Sequence, residues 1–254
     1  MEKNNLTQYT YEVTHCNPAK PWDVSLQMFK DDRLSVYYAP FEHINKKAKV
    51  VLCGITPGAT QATESLSIAK SGVVAGSSIP DVQAKAKQAA SFKGFRKPLS
   101  EMLDVVGLNK KLGIDSCDQL FTTHAGLVHY TSALRYPVVQ ADGKGYNGTP
   151  KAHKHPYLRG MLHEYLAAEI KELGTDCLWI PLGPAVNEAL EYLVSEGILR
   201  AEQLISGLPH PSGANAERIA YFLGNKAKSD LSIKTNPEKL DSAKASLITK
   251  IKAA

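Results

Sequence analysis

The run Lys49-Val-Val-Leu-Cys-Gly-Ile-Thr-Pro-Gly58 constrains this chain more than any other stretch. A continuous β-rich apolar run has no polar alternation, so it reads as a strand buried on both faces and entering a loop at Gly and Pro. The same design recurs. "AGLVHYTSALRYP" (125–137) reads as a second strand and loop, and "CLWIPLGPAVNEALEYLVSEG" as a third strand, a tight Leu-Gly-Pro turn and a helix. "EQLISGLPHPSGANAERIAYFLG" repeats strand, loop and helix. Strands alternating with helices predict the α/β class: a three-layer α/β/α sandwich around a central, mainly parallel, four-stranded sheet. Ligands of such sheets bind at the carboxyl ends of the strands. The loops at 54–58, 132–137, 182–184 and 209–213 are therefore expected on one rim.

The remaining segments fit around that sheet. Residues 60–91, rich in Ala, Ser, Lys and Gln, read as two short helices around a turn at "SGVVAGSSIP". "KPLSEMLDVVGL" (97–108) carries a helical stripe ending at Gly107, and "YLRGMLHEYLAAEIKELG" (157–174) one amphipathic helix stopped by Gly174. The lysine-rich end, 225–254, is expected to close the fold as a surface helix after the Asn-Pro signal at 236–237. Residues 1–35 lack periodicity and read as an irregular segment, although "PWDVSLQMF" suits a short helix. "LSVYYAPFEHI" suits a strand or an edge. With 254 residues, 43% of them hydrophobic, one domain spanning 1–254 can bury a sizeable core.

Composition excludes several classes. No run approaches the roughly 18 apolar residues of a membrane span, and "MEKNNLTQYTYEV" has no apolar core of a signal peptide. A cytoplasmic protein is expected. Cys16, Cys53, Cys117 and Cys177 lie far apart with no CxxC pair, which argues against a zinc or iron–sulfur centre. Cys53 and Cys177 sit in strand-like runs and are expected in the core. No metal or other cofactor is expected. The net charge of +5 permits a polyanionic partner without requiring one.

Two stretches carry candidate chemistry. "LPHPSGANAER" (208–218) is either a turn capped by Ser212 or Asn215, or a ligand site where His210 and helix amides face an anion. "KGYNGTPKAHKHPYLRG" (144–160) is a solvated loop, a phosphate-contacting loop through Lys151 and Lys154, or a metal site at His153 and His155.

In their order along the chain, five fragments resemble the uracil-DNA glycosylase superfamily from about Val36 to Gly224. Gly54-Ile55-Thr56-Pro57-Gly58 is similar to the first motif, and Phe92-Lys93-Gly94 to the segment supplying an aromatic stacker. Tyr130-Thr131-Ser132 lies where several branches carry "TN"; Leu182-Gly183 matches a strand end, and His210-Pro211-Ser212 the second motif. The resemblance implies that a base is flipped out of DNA and its N-glycosidic bond hydrolysed. It implies catalytic roles for Thr56, placing water, and His210, donating to the leaving oxygen. Ile55, Phe92 and Ser132 would bind the base. Gly58, Lys151, Lys154, Ser212, Gly213 and Asn215 would contact DNA phosphate, with DNA the partner of a monomer.

The chain departs from that pattern in three places. Thr56 stands where the water-holding branches have Asp or Asn, and its hydroxyl can orient water but not act as a base. Ser132 replaces the usual Asn reader of the pairing edge, with Asn147 and Asn215 as alternatives. Gly213-Ala214 offers no bulky wedge after the second motif. The expectation is a divergent glycosylase, or a non-catalytic DNA- or nucleotide-binding protein on the same scaffold.

Overall fold

The structure, a computed structural model, describes residues 5–253. Its strands are β1 (Gln27–Lys30), β2 (Leu34–Tyr37), β3 (Val50–Gly54), β4 (Val128–Ser132), β5 (Val138–Gln140) and β6 (Leu178–Pro181). The α-helices are α1 (Asn5–Gln8), α2 (Thr10–His15), α3 (Ala59–Val74), α4 (Ile79–Ala90), α5 (Arg96–Val105) and α6 (Leu108–Leu112). They continue with α7 (Pro156–Met161), α8 (Ala167–Leu173), α9 (Pro184–Ser195), α10 (Ala216–Leu223) and α11 (Pro237–Ala253). The described residues divide into two compact units. The first takes in residues 5–44, 54–93 and 130–172, the second 45–53, 94–129 and 173–253.

The chain is of the mixed α/β class, but its parallel sheet has three strands, ordered β4-β3-β6, rather than the expected four. Strand β3 is buried along Val50, Val51, Leu52 and Cys53, as a continuous apolar run demands. It pairs with β6 from Val50↔Leu178 to Cys53↔Pro181. The fourth strand, expected near Leu204, shrinks to one bridge between Trp179 and Leu204 and one bond from Ile205 N–H to the Trp179 carbonyl, 2.9 Å. Beyond it the chain turns at Gly207 (φ 123°), and Pro209 and Pro211 have no N–H to extend a ladder.

A second, antiparallel sheet, β1-β2-β5, was not expected. It overturns the reading of 1–35 as irregular: that segment holds α1, α2, β1 and the start of β2. "PWDVSLQMF" yields only a 3-10 turn at Val24–Leu26 before entering β1. Strands of three or four residues are too short to display a period.

In the first unit, α3 and α4 form a hairpin that buries Ala62, Leu66 and Ala69 against Val82, Ala86 and Ala90. Ser78 caps α4 by accepting from the Asp81 N–H (3.3 Å). The helix expected over 157–174 is interrupted by a π turn at Leu162–Leu166 between α7 and α8. In the second unit, α5 packs on α10 and α10 on α11. Asp104 at the end of α5 accepts from the Ser116 hydroxyl and the Cys117 N–H, both at 2.7 Å. Cys53 and Cys177 are fully buried, as expected of core residues, and burial pushes the Cys177 thiol up to about 11. Among the described residues no helix is long and apolar enough to cross a membrane.

Candidate functional site

The first unit brings the 54–58 and 132–138 segments together. Ala133 N–H donates to the Gly54 carbonyl (2.8 Å) and Leu134 N–H to that of Ile55 (2.9 Å). The Thr56 hydroxyl donates to the Tyr136 carbonyl and accepts from the Val138 N–H, both at 3.0 Å. Thr56 is thus a tie between two loops; one lone pair of its oxygen is left for any water. The turn then enters α3 at Gly58, whose N–H donates to the Gln61 side-chain oxygen (3.0 Å). Gly58 has no side chain to return a cap, so the first amides of α3 keep their unmet donors.

Beside this helix start lies a recess of about 20 Å3, room for one water-sized atom. Pro57 and Gln61 line it, as do Lys87, Phe92, Thr131, Ser132 and Arg135. Phe92 is the one non-glycine residue with positive φ (53°) among the described residues. A bulky side chain in that region costs about 1–3 kcal/mol and persists where its surroundings hold it. Its ring meets Tyr130 edge-on, centroids 6.0 Å apart. A Cβ built on Gly54 would stand 3.6 Å from the Phe92 ring and 3.5 Å from the Ser132 hydroxyl. Phe92 is 6% exposed, so the expected stacking face is mostly covered.

Two cations stand in the same wall. Arg135 donates through Nε (3.0 Å) and Nη2 (2.7 Å) to Glu169, and its guanidinium lies 5.0 Å from the centroid of the Tyr165 ring in the π turn. Lys87 Nζ donates to the His43 carbonyl (2.7 Å) and sits 3.9 Å from Glu169. Buried charges persist when paired in this way. The Thr131 hydroxyl oxygen is buried without a hydrogen-bond partner. Sequence reasoning passed over Lys87 and Glu169, whose charges on helices read as solvated, and Arg135, in the loop after β4. The signal for Lys87 was its place one residue beyond Ala86 on the face that buries Val82 and Ala90.

In the second unit the His210 turn is built against Gly183. At Gly183 (φ 101°) a Cβ would come within 3.2 Å of His210 Cβ, so a bare backbone is required there. Ser212 N–H donates to His210 Nδ1 (3.3 Å), which leaves the neutral ring's proton on Nε2. Burial lowers the His210 pKa and favours that neutral form. Phe95 meets the ring edge-on at 5.8 Å. Neither Ser212 nor Asn215 caps a helix through its side chain, contrary to the simpler reading of this turn. Asn215 instead donates to the Ser212 hydroxyl (3.3 Å) and accepts from Arg218 (2.6 Å), so both ends of its amide are occupied. Gly213 opens the 3-10 turn Gly213–Asn215.

The 144–160 loop belongs to the first unit. Lys151, Lys154 and Arg159 are exposed there. His155 uses both ring nitrogens: Nε2 meets Asp31 (2.8 Å) and Nδ1 accepts from Leu158 N–H (3.5 Å). That argues against the metal reading of the His153/His155 pair. Asn147, the other alternative reader, accepts from Thr149 N–H (3.1 Å).

No family model matches the chain, and no solved structure does. It is 34% identical over 212 residues to the uncharacterized protein YoxB of Bacillus subtilis (strain 168), covering 82% of each chain. The chain belongs to the YoxB family.

Proposed function

We propose that this member of the YoxB family acts on DNA, hydrolysing the N-glycosidic bond of uracil or another deaminated base flipped out of the strand. The observation that carries the reading is Phe92: a buried aromatic ring held at φ 53° beside the Gly54 turn and Ser132. Backbone strain of this kind clusters where a ligand is clamped. The recess is too small for a whole base, so a base would lie at its mouth with one exocyclic oxygen inside. Attack of water at the sugar carbon breaks the bond and sends its electron pair to the base, which leaves as an anion. The role that the resemblance assigns to His210, donation to an oxygen of the departing base, needs a neutral ring with its proton on Nε2. The second-motif turn favours that form. The same resemblance carries with it a three-layer α/β/α architecture and a monomer working in the cytoplasm.

A second reading, non-catalytic binding of DNA or a nucleotide, is favoured by one observation. The Thr56 proton is already given to the Tyr136 carbonyl, so Thr56 can accept from a water but not donate to it.

Incubating the purified protein with oligonucleotides carrying uracil, hypoxanthine or xanthine, followed by alkali, tests both. Strand scission reports excision, and Gly54→Ala is the control. The added methyl makes only ordinary contacts, at 3.5 Å with Ser132 and 3.6 Å with Phe92, both of which line the recess, so the chain should fold with those two side chains crowded. Excision should fall about 100-fold, as small misplacements cost. Scission by neither protein on any substrate, with DNA still bound, leaves the binding reading.

A further inference from the structure

Thr131 has no part in the reading above, yet its hydroxyl oxygen is the buried atom of the recess without a partner. Thr131 is 6% exposed, so no bulk water meets the need. A buried polar atom left unpaired in a native fold calls for an explanation, and a ligand atom supplies one. The polar side chains around it can all donate a hydrogen bond. Lys87 and Arg135 are cations, Ser91 and Ser132 are hydroxyls, and Gln61 has committed its oxygen to Gly58, which leaves its NH2 as a donor. No carboxylate lines the recess. Glu169 meets Arg135 and Lys87 without being part of the lining. The start of the 16-residue helix α3, where Gly58 has no side chain to cap the first amides, adds its partial positive charge at Gln61.

We propose that this recess is an anion site that seats one negatively charged oxygen atom of a ligand. A space of about 20 Å3 fits a single atom of that size. The oxygen comes either from a small oxyanion or from the ionised edge of an oxo-base. The anion site stands whether or not the protein excises bases.

The test is the unfolding midpoint of the full chain, titrated at constant ionic strength with phosphate, acetate, xanthine and cytosine. A saturable rise is expected with an anionic probe and none with cytosine. A response to phosphate or acetate alone identifies a free oxyanion; a response to xanthine identifies an oxo-base. Thr131→Val keeps the shape and removes the hydroxyl. The ligand-free midpoint should stay level or rise, because an unsatisfied group is lost, while anion affinity falls about tenfold. Thr131→Ser should keep the affinity. Gln61→Glu preserves the acceptor for Gly58 and favours a helix start, but adds a negative charge at the recess and should abolish binding. No response to any probe, or undiminished affinity in both Thr131→Val and Gln61→Glu, overturns the proposal. Anion binding without abasic-site formation keeps the site and removes the glycosylase reading.

Discussion

Replacing Thr56 by Val keeps the side chain's shape and deletes one oxygen. That oxygen serves two backbone groups, the Tyr136 carbonyl and the Val138 N–H, each at 3.0 Å. An orphaned buried group costs about 1–3 kcal/mol, and Thr56 is half-buried, so water relieves part of each loss. The expected cost is about 2–3 kcal/mol for the pair. For a chain of this size each kcal/mol moves the midpoint by about 2–4 °C, giving a fall of about 4–12 °C. Thr56→Ser retains the hydroxyl and should lose less than about 1 kcal/mol, the worth of a part-buried methyl. Urea unfolding followed by circular dichroism gives the energies, and exchange of the Val138 amide reports the bond itself. Equal stability of the Val and Ser variants, or a Val138 amide equally protected in both, would refute the assignment of Thr56 as a tie.

Glu169→Gln removes the charge that Arg135 meets while both residues are almost wholly buried, and should cost about 3–5 kcal/mol. A loss under about 1 kcal/mol in urea unfolding would show that the pair is dispensable. Lys151→Ala with Lys154→Ala should flatten the salt dependence of DNA binding by about two units, since each phosphate contact contributes about 0.9. An unchanged slope places the DNA elsewhere. Glu217 accepts from Ser232 and Thr235, with Lys226 alongside, and these bonds hold its carboxyl down at about 2 against an ordinary 4.5. A lowered carboxyl stabilises fully above its ordinary value and loses the effect as pH falls through the lowered one. The 226–235 segment should therefore loosen between about pH 4.5 and 2. A Ser232 amide resonance flat across that range, or one that moves equally in Glu217→Gln, contradicts it.

The strands that could be read in the sequence were those whose burial alone writes the pattern. "VVLC" and "LWI" are apolar throughout because both faces are covered, and no partner needs to be known to see it. The run at Leu204 looks the same by composition. It fails as a strand because a ladder consumes N–H groups, and two of the next seven residues are prolines. The antiparallel sheet escaped notice because its strands are short and its partners lie far apart, as with Val36 and Val138. The motif fragments pointed to the Gly54 turn, Phe92 and Ser132, which the first unit does bring together. Lys87, Arg135 and Thr131 were invisible as a group. Whether a charge is paired or a hydroxyl satisfied depends on residues such as Glu169 and His43, distant in sequence and set by the fold.

The lost fourth strand leaves β6 at the margin of the parallel sheet, the position from which sheets recruit foreign strands and aggregate. Here that margin is occupied by a segment that donates one bond, from Ile205 N–H, to the Trp179 carbonyl and does not continue as a strand. Gly207 bends it under α11, whose Ala243 lies 3.2 Å from where a Cβ would be, and Lys250 of the same helix claims the Leu204 carbonyl (3.2 Å). The prolines that flank His210 therefore serve as a terminator: they end lateral growth of the sheet at its edge while presenting a histidine. A chain shortened before α11 should uncover that margin, and concentration-dependent association would be its first symptom.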